Sequence, residues 1–164
     1  MAKGVLDELL DRVRQKPAPV RRQIAEEVHQ ATKHMAWCPN PGPQTDAYLS
    51  QADILLYGGQ AGGGKSHLLL GWGVNEADVG IIFRRELTQT DGLESDGKAI
   101  IGTRGWNGTD HEWTRPDGRT LKLAGMRDAE SWMDHAGRER DFYGYDEAGE
   151  FLEAVAVAAV PLGY

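Results

Sequence analysis

The chain has 164 residues and a formal net charge of −7, with 25 acidic side chains against 18 basic ones. That length holds one hydrophobic core, not two full domains. The acidic balance excludes a broad basic face for nucleic acid, while leaving local clusters such as Arg84-Arg85 and Arg138-Glu139-Arg140. The one cysteine, Cys38, excludes a framework of intrachain disulfides and suits a reducing compartment; beside Trp37 it reads as a small apolar residue. No apolar run approaches the ~20 residues of a membrane span, and no secretory signal follows Met1, so a cytoplasmic location is expected.

In chain order, Val5, Leu6, Leu9, Leu10 and Val13 recur at helical spacing, and Pro17 and Pro19 end that helix. Ile24, Val28, Ala31 and Met35 give a second stripe on an otherwise charged helix. Residues 1–38 therefore read as an N-terminal helical hairpin, serving as a packing layer, a lid, a docking arm or a solvated structural arm. The breaker cluster Pro39-Asn40-Pro41-Gly42-Pro43 marks the boundary with a second unit over 39–164.

The apolar run Asp53-Ile54-Leu55-Leu56-Tyr57 leads into Gly58-Gly59-Gln60-Ala61-Gly62-Gly63-Gly64-Lys65-Ser66, which fits the phosphate-binding P-loop pattern from Gly59 to Ser66. Its glycines let backbone N–H groups turn inward around a polyanion where a Cβ would block them. A helix starting near Lys65 points its positive end at the same phosphates. Candidate nucleotide contacts are Gly59, Gln60, Ala61, Gly62, Gly63, Gly64, Lys65, Ser66 and His67. Lys65 reaches the β- and γ-phosphates, and the Ser66 hydroxyl serves Mg²⁺.

Ile54 to Tyr57 is expected to be the strand before the loop, and Val79 to Phe83 a strand buried on both faces of a parallel sheet. With the intervening helix they would make a right-handed βαβ unit. A short helix is expected near Lys98 to Ile101, a hairpin over Glu112 to Leu123 turning at Pro116-Asp117-Gly118, and a short helix over Ala129 to His135. Phe142-Tyr143-Gly144-Tyr145-Asp146-Glu147 is an apolar strand ending in two acids, the Walker B pattern, which brings Asp146 to the Mg²⁺ shell and Glu147 to the attacking water. Phe151 to Val160 reads as a helix on the sheet; a further strand is expected after the Walker B strand, and the sequence shows none. Trp106 and Trp113 stand near basic residues, but hairpin packing explains them more simply than base stacking. His29, His34, His67, His111 and His135 show no ligand spacing with the cysteine.

Together these motifs resemble the ATPase domain of the large terminase subunit of tailed phages. The residues that carry the resemblance are Pro43-Gln44 with Tyr48, Gly58 to Ser66, Phe83-Arg84-Arg85, Ala136-Gly137-Arg138-Glu139 and Tyr145-Asp146-Glu147-Ala148-Gly149-Glu150-Phe151. The resemblance implies a P-loop NTPase of the ASCE type, an α/β fold with a parallel sheet flanked by helices. It also implies an ATPase using ATP and Mg²⁺ and driving DNA packaging. Lys65 and Glu147 would be catalytic, and Gln44 would meet the adenine ring unless it only starts a helix. The loop reads Gln60-Ala61 where family members carry an arginine, so that role would fall to Arg84 or Arg85, which otherwise pair with nearby acids. The implied partners are double-stranded DNA, a portal protein, a small terminase subunit and a ring of identical subunits, in the host cytoplasm. The family's coupling motif and nuclease domain are missing, so the resemblance is to a fold incomplete at its C-terminus. A nucleotide-binding module without turnover and a helicase-like P-loop ATPase stay open as alternatives.

Overall fold

The computed structural model describes residues 5–60, 62–128, 131, 133–135 and 137–151. Five helices are found there: α1 (Val5–Arg14), α2 (Ala18–Thr32), α3 (Pro43–Tyr48), α4 (Lys65–Asn75) and α5 (Asp91–Ile101). Five strands, β1 (Val79–Arg84), β2 (Trp106–Asn107), β3 (Glu112–Thr114), β4 (Thr120–Gly125) and β5 (Phe142–Tyr145), form one sheet in the order β2-β3-β4-β1-β5. The protein is an α/β structure.

β1 is the hub of the sheet. Its run Gly80-Ile81-Ile82-Phe83 is buried throughout, as a strand covered on both faces requires. It pairs in parallel with β4 on one side and β5 on the other. Asp141 fixes where the β1–β5 ladder begins: its carboxylate accepts from the backbone N–H groups of Asp78 (2.8 Å) and Val79 (2.9 Å). The expected hairpin forms as β3 and β4, paired antiparallel, and β2 adds to its outer edge. The sheet is therefore mixed, parallel at β4-β1-β5 and antiparallel at the expected hairpin, where the resemblance implies a parallel sheet. The short β2 and β3 are reached by tight turns, which return a chain antiparallel.

Alternation along the strands splits the core in two. On one face Ile82, Leu121, Leu123 and Trp113 pack with Leu70 of α4 and Leu93 of α5. On the other, Ile81, Phe83, Ala124 and Met126 lie with Tyr143, Tyr145 and Phe151. Glycines set how closely α4 approaches. A Cβ at Gly73 would stand 2.8 Å from Leu121, and one at Gly71 would stand 2.0 Å from the Trp37 ring.

Trp37 is held against α4 by Asn75, whose side chain accepts from the N–H groups of Ala36 and Trp37 and donates to the Trp37 carbonyl. Gly71→Ala is thus expected to expel Trp37 and cost about 1–3 kcal/mol, read as a lower urea midpoint at unchanged slope.

Several expectations need correction. Ile54 to Tyr57 forms no strand: it is irregular and largely exposed, Ile54 at 72% and Leu56 at 85%. A strand needs a ladder partner, and β5, the outermost strand on that side, is separated from this stretch by a groove of about 670 Å³. The expected βαβ unit accordingly lacks its first strand. The helix anticipated near Lys98 begins seven residues earlier, at Asp91. The helix anticipated over Ala129 to His135 is a single 3₁₀ turn at Met133–His135; Ala129, Glu130 and Trp132 lie outside the described residues. The helix read over Phe151 to Val160 also lies outside them, apart from Phe151.

At the N-terminus α2 buries none of its residues, and Val28 is 56% exposed, so its apolar stripe packs on no core among the described residues. The Cys38 thiol is free and exposed, not packed as a small apolar residue would be.

Candidate phosphate and cation site

The glycine loop closes by local geometry. Gly62 (φ +80°) and Gly64 (φ +74°) adopt left-handed backbone, which glycine enters without a Cβ penalty. The Gly63 N–H donates to the Gln60 carbonyl at 3.1 Å. Lys65 opens α4, and its ammonium folds back over the loop, donating to the carbonyls of Gly59 and Gln60, each at 3.1 Å. Ala61 lies outside the described residues.

Gln44 binds the loop from behind. It is 4% exposed; its amide donates to the Gly64 carbonyl at 2.8 Å, and its Oε1 accepts from the Asn40 N–H at 2.6 Å. In this arrangement both ends of the amide bond backbone, and Gln44 ties α3 to the loop. A Cβ at Gly64 would sit 2.5 Å from its Nε2, so the close seat itself requires glycine. Tyr48 anchors the far end of α3 by donating to Glu76 and accepting from Asn75 at 3.2 Å. Burial, then the acceptor Glu76, pushes its hydroxyl pKa up to about 12.

The two acids arrive from β5, and register decides their neighbours. The β1–β5 ladder pairs Phe83 with Tyr145 and continues through the Asp146 N–H donating to the Phe83 carbonyl at 2.9 Å. Arg84 and Asp146 thereby come level, on the face shared by Ile82 and Gly144, against which α4 packs through Leu69. Asp146 is only 2% exposed. The Ser66 hydroxyl lies 3.0 and 3.1 Å from its two oxygens, and Arg84 donates to its Oδ2 from Nε at 2.9 Å and Nη2 at 2.7 Å. Such charge-assisted, forked bonds are the strong ones.

Arg85, one residue on, falls to the opposite face and donates to the Glu150 carbonyl at 3.4 Å. Arg84 is thus brought to Asp146 and Arg85 is not.

Glu147 is exposed and takes left-handed backbone (φ 55°, ψ 51°), an uncommon conformation for a residue with a side chain. Outliers of this kind cluster at functional sites. Its Oε1 stands 3.9 Å from Arg84 Nη2, so the guanidinium lies between the two acids. The His67 side chain turns instead to Asp96 of α5, Nε2 to Oδ2 3.2 Å, leaving only its backbone in the first turn of α4.

The donor set suits a hard cation. Ser66 and Asp146 offer oxygens only, and Mg²⁺ is commonly held by one or two such side chains with phosphate oxygens and water completing its shell. A buried carboxylate also needs a positive partner. Among the described residues no cluster of three or more His, Cys, Asp or Glu side chains offers another metal site.

Sequence reasoning missed Asn75 and Asp141, which lock the linker and the ladder; only their contacts reveal them. Comparison with protein-family models, with curated proteins and with solved structures returned no match to this chain.

Proposed function

We propose that the chain binds a nucleoside triphosphate with Mg²⁺ at the glycine loop and hydrolyses it. The observation that carries the reading is the bond from Ser66, at the start of α4, to both oxygens of the buried Asp146, 80 residues later in the chain. A phosphate loop, a hydroxyl and a strand-end acid that meet at one point are the parts phosphoryl transfer needs.

In this reading the backbone N–H groups of the loop and the Lys65 ammonium bind the phosphates, replacing the carbonyl contacts Lys65 now makes. Ser66 and Asp146 hold Mg²⁺, which when bound neutralises charge on the phosphates. Glu147 orients the attacking water and takes its proton. Catalysis of this kind is positioning plus charge stabilisation, with little covalent chemistry for the protein to perform.

The narrower reading is the ATPase part of a terminase-type DNA-packaging motor, a P-loop fold of the ASCE type. It is supported by the Arg84-Arg85, Gly137-Arg138-Glu139 and Asp146-Glu147-Ala148-Gly149-Glu150-Phe151 phrases. Double-stranded DNA, a portal and a small subunit as partners follow from that resemblance alone. One observation favours a second reading, nucleotide binding without turnover: the stretch leading into the loop, Ile54 to Tyr57, stands outside the sheet and leaves the loop's entry unbraced.

Phosphate release from Mg-ATP decides between the two. Glu147→Gln is expected to lower turnover by about 10²–10⁴-fold, the usual worth of a general base, while leaving ATP affinity unchanged. Wild-type turnover at the level of the Lys65→Ala variant would favour the binding-only reading.

A further inference from the structure

We propose that Arg84 is the resident counter-ion of Asp146 and gives up that place when a divalent cation binds. It would then be a positioning residue that holds the acid in line with Ser66 and sets the cation concentration at which the site loads. The proposal rests on the reading of Asp146 as the cation-holding acid.

The geometry forces a choice. Asp146 Oδ2 already accepts two bonds from Arg84, at 2.7 and 2.9 Å, and the Ser66 hydroxyl bridges to both oxygens. Against the carboxylate's four or so lone-pair positions, Arg84 sets two donors, both on Oδ2, and Ser66 its one hydrogen, so Oδ2 is saturated while Oδ1 meets only Ser66. A cation seated between Ser66 and Asp146 would take the place of the Ser66 hydrogen bond on the carboxylate whose other oxygen the guanidinium holds at 2.7 Å. Two positive charges on one carboxylate that is itself 2% exposed repel each other. The buried carboxylate carries one negative charge, which Arg84 already neutralises, so an arriving cation competes with it.

Arg84 also has somewhere to go. Its side chain is 23% exposed, its Nη1 already reaches the Gln89 carbonyl at 3.4 Å, and Glu147 Oε1 is 3.9 Å from Nη2. A modest swing exchanges Asp146 for Glu147. The exchange would bring a guanidinium onto the second acid as the cation arrives on the first, so loading would be felt at Glu147.

Binding of Mn²⁺ alone, without nucleotide, to the full chain tests this, with free Mn²⁺ followed by electron paramagnetic resonance. Arg84→Gln is expected to bind Mn²⁺ about tenfold tighter than wild type, since the charge-assisted pair of bonds from Arg84 no longer has to be exchanged for those to Glu147. Asp146→Asn should abolish binding in either background. Arg84→Lys, which keeps the charge but loses the fork, should fall between, and it answers the question should Arg84→Gln fail to fold. Mn²⁺ should also raise the Tm of Arg84→Gln more than that of wild type, a rescue that lost packing alone would not give.

Equal or weaker Mn²⁺ affinity in the Arg84 variants, with wild-type binding still lost in Asp146→Asn, would overturn the counter-ion role and leave the site reading standing. No Mn²⁺ binding by wild type and Arg84 variants alike would overturn both.

Discussion

Asp146→Ala is expected to abolish Mg²⁺-dependent nucleotide binding and to cost the fold about 3–5 kcal/mol, the usual penalty for breaking a buried pair. Two groups lose their partner at once. Arg84 loses both of its bonds to the carboxylate, Ser66 loses its acceptor, and a cavity opens where a side chain was 2% exposed. Asp146→Asn separates the two effects. The amide keeps the volume and one oxygen, so it retains part of the stability, but it lacks the charge a divalent cation needs. Urea unfolding with and without Mg-ATP measures both: the wild-type midpoint should rise with ligand, and neither variant's should.

The second large effect is at the other end of the core. Trp113→Ala should lower stability by about 3–5 kcal/mol, a large share of the 5–15 kcal/mol typical of a domain. Trp113 is fully buried, its indole N–H donates to the Gly102 carbonyl at 3.0 Å, and its ring lies 4.0 Å from that of Trp106. Gly97 of α5 sits against it so closely that a Cβ there would come within 2.4 Å of the ring. The indole therefore joins α5 and the β2–β3 edge to the sheet, and its loss cannot be absorbed by collapse of one neighbour. Trp113→Phe, which keeps much of the volume and drops the hydrogen bond, should cost less than half as much.

How much of this was legible in the sequence varies by element, for physical reasons. β1 was readable because a strand buried on both faces must be a short unbroken apolar run, and β5, half-buried at the edge, because its apolar run ends in Asp146-Glu147. The β3–β4 hairpin was readable from Pro116-Asp117-Gly118, whose turn chemistry is local. Ile54 to Tyr57 has the same apolar look and is no strand. Strandedness there depends on a neighbour's backbone, which no local pattern encodes.

At the site, the glycine loop, Ser66 and Asp146 came from motif spacing, since loop and strand end must converge for the spacing to recur. The choice between Arg84 and Arg85 could not be made, because adjacent residues differ only in which face they take, and that follows from the β1–β5 register. Gln44 was expected to be either a base contact or a helix starter. It does lie in the first turn of α3, and its buried bonds to Asn40 and Gly64 add a brace for the loop, visible only once both partners are in place.

The central claim is that the loop from Gly59 to Ser66 is a phosphate site whose cation is held by Ser66 and Asp146. Calorimetric titration of Mg-ATP into the purified chain, beside the folded Lys65→Ala variant, tests it most directly. Saturable binding by wild type, lost in Lys65→Ala and absent when Mg²⁺ is withheld, is the result predicted. Equal binding by the two proteins, or none by a wild-type chain shown to be folded, would contradict it.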